Sequence, residues 1–151
     1  MQKNCSTVIF IFFAVLLCSC QPEARSSKQE KAKQEIVQTE RDCEKLAAEK
    51  GIAEAFSHFA DSNAVIRGRN DSLIRGKNGI GNLFSGDRYK TATVKWSPDF
   101  VDAAGSGDLG YTYGGYTWQF KDSTGKISES KGIFHTVWKK QKDGSWRFVW
   151  D

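Results

Sequence analysis

The sequence has few of the residues from which a reaction can be inferred directly. Its 151 residues include only two histidines, two prolines, one methionine and four cysteines. Histidine and cysteine are the usual nitrogen and sulfur ligands of transition metals, and here none of them has the spacing of a metal site. We therefore expect no bound metal, and nothing in the sequence points to a cofactor.

The chain also lacks a strong charge of one sign. It has 22 basic and 18 acidic residues, which gives a formal net charge of +4. The basic residues are spread along the chain, whereas nucleic-acid-binding domains usually concentrate them on one face. We do not expect a nucleic-acid partner.

No apolar run is long enough to cross a membrane as a helix. The longest, residues 8–17 (VIFIFFAVLL), has 10 residues, and a spanning helix needs about 20. Lys3 precedes this run and polar sequence follows it, an order typical of a signal peptide. A buried core helix is the alternative, but the polar sequence that follows favours a signal peptide over residues 1–19.

Residues 17–20 (LCSC) resemble the bacterial lipobox, which has an aliphatic residue, two small residues and then the modified cysteine. In that family the cysteine thiol receives a diacylglyceryl lipid, with acyl chains such as palmitate, and the preceding peptide is removed. The resemblance implies lipidation of Cys20. The mature protein would then be anchored in a bilayer at the extracytoplasmic or periplasmic face of the bacterial cell envelope.

Processing of this kind leaves Cys43 as the one unmodified cysteine, so the mature chain cannot form an internal disulfide. Its domain must then be stabilised by packing alone. Cys43 is either a reactive thiol or a small apolar residue on a buried helix face. Removal of Lys3 lowers the net charge to about +3.

Polar residues 20–27 are expected to be the lipidated cysteine and a tether, and Ser27 and Glu30 form a capping-box pattern that predicts a helix over 28–50. Ile36, Cys43 and Ala47 form its narrow apolar stripe. Two shorter helices are predicted over residues 52–60 and 77–84. Asp61, Ser62 and Asn63 are expected to break the chain after the first of them, and residues 64–66 are a candidate strand.

From residue 91 onward, apolar and polar residues alternate as in β-strands. Turns at 105–108, 122–125 and 142–144 separate the predicted strands. Large side chains change parity at Gly114 and Gly115, which predicts a β-bulge there. The order indicates an α+β domain over residues 28–151, with N-terminal helices packed on one face of a strongly bent antiparallel sheet.

Three segments together carry a resemblance to a known superfamily: residues 46–56 (LAAEKGIAEAF), 106–116 (SGDLGYTYGGY) and 136–151 (TVWKKQKDGSWRFVWD). They resemble the cone-shaped superfamily of nuclear transport factor two, ketosteroid isomerase and SnoaL-like cyclases, and most of all its bacterial single-domain branch. The resemblance covers about residues 30–151. It implies a pocket between helices and sheet, and frequent dimerisation through the sheet.

The same resemblance argues against isomerase chemistry. Ketosteroid isomerase places its catalytic carboxylate shortly after an Ala-Asp-Asp motif, which here is Ala60-Asp61-Ser62. The matching position is about Gly68, and the second acid of that enzyme matches residues 133–135; neither place has an acid. His135 and Asp61 remain as candidates for an acid or base, although each could equally be structural.

Aromatic residues with polar tips suit either a ligand pocket or a dimer surface. The predicted pocket residues are Phe56, Phe59, Trp96, Tyr111, Tyr113, Trp118, His135 and Trp138. Basic residues around the loop at 67–77 suit either an anionic ligand or plain solvation.

Three functions stay open. The favoured one is a membrane-anchored module that binds a small apolar or aromatic molecule without catalysis. The alternatives are a SnoaL-like or isomerase-like enzyme with a non-standard acid or base, and a structural dimerisation module that acts as a homodimer.

Overall fold

The computed structural model describes residues 22–151, with side chains described from Ser26 onward. The predicted signal peptide over 1–19 and the predicted lipidation of Cys20 lie outside the described residues. Within the described part, no helix is both long and apolar enough to span a membrane.

Four helices form the part of the chain that covers the sheet: α1 (Pro22–Lys50), α2 (Ile52–Phe59), α3 (Gly76–Phe84) and α4 (Asp87–Lys90). The first begins at Pro22 rather than near Lys28, so most of the segment predicted as a tether is helical. Proline suits the first turn of a helix, where its missing N–H has no intrahelical partner. Gly51 separates α1 from α2 at a φ of 92° that favours glycine. The short α4 was not predicted.

Six strands form one sheet: β1 (Ala60–Arg67), β2 (Leu73–Arg75), β3 (Thr93–Ala103), β4 (Leu109–Lys121), β5 (Ile127–Lys140) and β6 (Trp146–Trp150). Their order is β2-β1-β6-β5-β4-β3. Strands β3 to β6 are the predicted antiparallel meander, but β1 pairs with β6 in parallel. The sheet is therefore mixed rather than wholly antiparallel, because the chain reaches β1 through α2 before the meander begins.

Strand β1 starts earlier than expected. Asp61, Ser62 and Asn63 were predicted to break the chain after α2, yet they lie within β1. The pairing of β1 with β6 shifts register between Ala60 and Val65, which accommodates this polar stretch.

The predicted bulge at Gly114 and Gly115 is wrong. Strand β4 pairs with β5 in one unbroken register from Leu109 to Lys121. The irregularity lies opposite, in β3, between Pro98 and Phe100. Gly114 permits the close approach of β3 there, because a Cβ at this position would lie 2.8 Å from the Asp99 nitrogen. The large side chains of β4 therefore change face while the strand itself alternates regularly.

The core lies between the helices and the face of the sheet that they cover, which we call the inner face. On α1 the predicted apolar stripe is buried, with Ile36 at 0% and Cys43 at 4% exposure. Burial raises the pKa of the Cys43 thiol well above its usual range. Cys43 is thus a buried packing residue rather than a reactive thiolate.

Candidate functional site

A cavity of about 620 Å³ lies between the four helices and the inner face of β3 to β6. Alternation along each strand decides which side chains reach it. From β4 and β5 these are mainly even-numbered residues, among them Tyr116, Trp118, Phe120, Phe134 and Trp138. The odd-numbered Ile133 and His135 of β5 also border the cavity. Small-molecule sites commonly have volumes of roughly 300–1,000 Å³, mostly apolar walls and a few polar groups.

The walls of the cavity are an aromatic cluster. Phe56 of α2 lies 4.6 Å from Phe84 of α3 and 6.0 Å from Trp96 of β3, measured between ring centroids. Phe84 in turn stacks on Trp118 at 6.2 Å. Rings from helices and strands therefore surround the same space.

The inner end of the cavity holds a buried carboxyl, Glu40 of α1, which is 3% exposed. Trp96 donates to Glu40 Oε2 from its Nε1 atom at 2.7 Å. The Thr112 hydroxyl and Trp138 Nε1 donate to Oε1 at 2.5 Å and 3.0 Å. One side chain of α1 thus bonds to three successive strands of the sheet.

A second carboxyl, Asp151, also borders the cavity. It follows β6 directly, and its Oδ1 atom accepts from the Thr136 hydroxyl at 2.6 Å. Thr136 lies opposite Thr112 in the pairing of β5 with β4. Because Cβ atoms of such pairs are about 4.5–5.5 Å apart, the two threonines bring the Glu40 and Asp151 carboxyls into the same neighbourhood.

In the part of the chain whose side chains are described, no lysine or arginine forms an ion pair with Glu40 or Asp151. Burial raises the pKa of Glu40, its three hydrogen bonds lower it, and the charge of Asp151 raises it further. Burial likewise raises the pKa of Asp151, and the charge of His135 acts on Asp151 and lowers its pKa less strongly. Each group therefore holds its proton to a higher pH than an exposed carboxyl would.

Exposed basic residues also border the cavity. The Arg88 guanidinium of α4 lies 4.2 Å from the centroid of the Phe120 ring. Arg67 and Arg69 border the cavity near the end of β1, and the Arg67 backbone N–H donates to the Asp151 carbonyl at 3.0 Å. Arg67 also forms an ion pair with Asp71. The cavity is thus bordered by buried carboxyls and by exposed arginines.

The structure divides the predicted pocket residues into two groups. Phe56, Trp96, Trp118 and Trp138 line the cavity. Phe59 does not; its ring lies 5.9 Å from the Arg147 guanidinium.

Tyr111 and Tyr113 are also wrongly placed by the prediction. Both are odd-numbered residues of β4 and lie on the uncovered outer face, at 36% and 41% exposure. Tyr113 stacks on Phe100 with ring centroids 5.1 Å apart. The assumed bulge would have returned them to the inner face, and it is absent from β4.

Of the two acid or base candidates, His135 borders the cavity and Asp61 does not. The His135 ring is exposed and packs 5.8 Å from the Tyr111 ring. Burial raises the pKa of Asp151, and the charge of His135 lowers it to a smaller extent. The Asp61 carboxylate accepts from the Asn63 backbone N–H at 2.8 Å, within its own strand. Gly68, the position that matches the isomerase base, does border the cavity and has no side chain to offer.

The two carboxyls of the cavity were missed from the sequence, although Glu40 had a visible signal. It falls on the apolar stripe of α1, four residues after Ile36 and three before Cys43, where a charged residue must be buried. Asp151 follows an exposed tryptophan and had no such signal. No group of three His, Cys, Asp or Glu side chains in residues 26–151 is placed to hold a metal ion.

Comparison with solved structures shows which fold this is. A nuclear transport factor 2-like superfamily protein from Salmonella enterica matches with a TM-score of 0.65 and 17% identity, over 80% of this chain and 88% of its own. The association domain of Caenorhabditis elegans CaMKII matches at 0.62 and 21%, over 80% and 93%. A ketosteroid isomerase-like protein from Erwinia carotovora matches at 0.60 and 15%, over 76% and 88%.

The chain therefore has the α+β fold of nuclear transport factor 2-like and ketosteroid isomerase-like proteins, as the sequence predicted. At these identities the similarity defines the fold alone. No protein-family model matches the sequence. No curated protein matches it either.

Proposed function

We propose that this protein is a lipid-anchored lipoprotein of the bacterial cell envelope whose domain binds a small apolar or aromatic molecule. The observation that carries the proposal is the aromatic-walled cavity of about 620 Å³. Had bulky side chains filled that space, a purely structural role would be favoured. The enzyme alternative is less favoured because Asp61 does not border the cavity, and the His135 ring, which does, is exposed and packs beside Tyr111.

Native mass spectrometry of the protein purified from membranes tests ligand binding. We expect an extra mass that is lost on denaturation, and a higher melting temperature with at least one apolar metabolite of a panel. Trp118→Ala removes one cavity wall and should abolish both effects. Tyr113→Ala, on the outer face of the same strand, is the matched control and should retain both. A clean apo mass with no thermal shift across the panel would contradict the proposal.

Lipidation of Cys20 has a separate test. In cell fractionation, the wild-type protein should sediment with membranes and its mature N-terminal peptide should carry a diacylglyceryl mass. Cys20→Ser removes the thiol that would carry the lipid. The protein should then move to the soluble fraction, because the lipid is the proposed anchor. Membrane association unchanged by this substitution would show that Cys20 is not the anchor.

A second proposal concerns self-association through the outer face of the sheet. Phe100, Tyr111, Tyr113 and Ile133 form what we call the outer patch, and Ile133 is 81% exposed. Contiguous exposed apolar side chains of this kind typically mark an interface. The similarity to a domain described as an association domain also supports self-association. We propose that two copies of this chain pair through the outer patch.

Sedimentation velocity tests the homodimer. The wild-type domain should sediment as a dimer at micromolar concentration, and Tyr113→Asp should convert it to a monomer by placing a charge in the patch. Ser123→Asp adds the same charge in the β4–β5 turn, and should leave the dimer intact. A wild-type protein that is monomeric at every concentration would refute this interface.

A further inference from the structure

The two carboxyls in the cavity form no ion pair with a lysine or arginine among the described side chains. Glu40 and Asp151 border the same cavity, and their neighbouring threonines are directly paired. The charge of the exposed His135 favours the ionised form of Asp151, but it does not outweigh the effect of burial. Burying two carboxyls side by side is unfavourable unless a proton or another positive group compensates them.

The two carboxyls differ in how much hydrogen-bonding capacity they have left. Glu40 already accepts from two tryptophan N–H groups and one threonine hydroxyl. Asp151 accepts one side-chain hydrogen bond, from Thr136, on Oδ1. An ionised carboxylate has about four acceptor sites. Asp151 can therefore accept further donors from a bound molecule, while Glu40 chiefly fixes the surrounding rings.

Aromatic side chains lie beside these carboxyls. Trp96 and Trp138 present the Nε1 edges of their rings to Glu40, and Phe148 lies 6.0 Å from Trp138 between ring centroids. A carboxyl with free acceptor sites beside an aromatic wall suits an organic ammonium group that has an apolar body.

We propose that the ligand of this cavity is an organic cation: an amine with an apolar or aromatic body, whose ammonium group donates to Asp151. The body of the molecule lies against Phe84 and Trp118, farther along the cavity. This inference rests on the proposed function, since it names the chemical class of the same ligand. The arginines that border the cavity are exposed, so salt screens their repulsion of an entering cation.

Three probes with one ring system isolate the contribution of charge. They are 2-naphthylmethylamine, 2-naphthylmethanol and 2-naphthoic acid, which are cationic, neutral and anionic at neutral pH. Isothermal titration calorimetry with the wild-type protein should show the amine binding about tenfold or more tighter than the alcohol, because a hydrogen bond to a charged group is stronger than a neutral one. The acid should bind most weakly.

Two variants test which carboxyl causes the preference for the amine over the alcohol. Asp151→Asn keeps an acceptor for Thr136 but removes the charge, and should reduce the preference for the amine over the alcohol to about threefold or less. Glu35→Gln changes a carboxyl of α1 that does not border the cavity, and should leave the preference unchanged. Thermal unfolding of both variants checks that they fold, and the probe series on the wild-type protein does not depend on them.

The outcomes separate this inference from the proposed function. If all three probes bind equally, or if the acid binds best, the cavity binds apolar molecules but the ammonium inference is wrong. If the amine preference survives Asp151→Asn in a folded variant, the assignment of Asp151 is wrong. If no probe binds, the ammonium inference and the proposed ligand-binding function both fail.

Discussion

The inner and outer faces of the same two strands perform different tasks. On the inner face of β4 and β5, Thr112 and Thr136 are 0% and 4% exposed and bond to enclosed carboxyls. On the outer face, Tyr111 and Tyr113 lie open to solvent. Aromatic residues occur on both faces, so aromatic residues alone do not identify a pocket. The position of a residue in the strand alternation does identify pocket residues, because it decides whether the side chain lies on the face that the helices cover.

The largest effect is expected on the inner face, from Glu40→Ala. The substitution leaves the N–H groups of Trp96 and Trp138 without their carboxylate, and each unsatisfied buried donor costs about 1–3 kcal/mol. We expect the free energy of unfolding to fall by about 3 kcal/mol or more. Urea denaturation measures it. The control is Asp42→Ala, which changes an exposed acid of the same helix. An equal loss of stability in that variant would show that the hydrogen bonds of Glu40 do not account for the effect.

Two adjacent glycines provide the next comparison of the faces. A Cβ at Gly114 would lie 2.8 Å from the Asp99 nitrogen and 3.0 Å from the Phe134 ring, whereas one at Gly115 would meet nothing within 4 Å. Gly114→Ala should destabilise the fold by about 2 kcal/mol, because β3 must move away. Gly115→Ala should change stability by no more than about 0.5 kcal/mol. Equal melting temperatures for the two variants would contradict the described register.

The pH dependence of stability offers a smaller, graded test. Because the pKa values of Glu40 and Asp151 are raised in the folded state, the folded protein holds these protons to a higher pH than the unfolded chain. Their contribution to stability is therefore full below the ordinary carboxyl range and is lost as pH rises through the raised values.

Urea unfolding of the wild type and of the Glu40→Gln, Asp151→Asn double variant between about pH 4 and pH 8 isolates this term. Relative to the double variant, the wild type should lose stability as pH rises. Other acids, such as Glu35, have lowered pKa values, and their contribution to stability grows as pH rises. The unfolding free energy of the double variant must therefore be subtracted from that of the wild type at each pH. A difference that does not change with pH would show that the two carboxyls are ordinary.

The smallest effect is expected at the outer patch. Ile133→Thr should change the unfolding free energy of the monomer by about 0.5 kcal/mol or less, since its side chain is 81% exposed. Ile66→Thr makes the same change on the inner face, where Ile66 is 3% exposed, and should cost about 2 kcal/mol. Thermal unfolding of monomeric samples compares the two, and similar losses would mean that the outer face is covered within the monomer.

The sequence predicted the fold well because its signals are local. The apolar stripe of α1 and the alternation after residue 91 each depend on neighbours a few positions away. The parallel pairing of β1 with β6 could not be predicted in this way, because it joins residues 85 to 88 positions apart in the chain. The start of α1 was misjudged because Pro22 was interpreted as part of a polar tether, whereas proline also suits the first turn of a helix.

The candidate site was predicted less well, and one error explains most of it. The change in parity at Gly114 was interpreted as a bulge in β4, which placed Tyr111, Tyr113 and Trp118 on one face. The irregularity belongs to β3, and a single strand does not reveal which of two partners carries it. Glu40 was overlooked because only the apolar residues of the α1 stripe were considered.

The unbroken register of β4 with β5 has a consequence for how such a protein can evolve. If the two proposals hold, substitutions at most odd-numbered positions would act on self-association and those at even-numbered positions on ligand preference, whereas Ile133 and His135 border the cavity and would act on both. Insertion or deletion of one residue is different, because it would turn every following side chain to the opposite face. The two properties could then diverge largely independently among descendants, provided that the length of this hairpin is preserved.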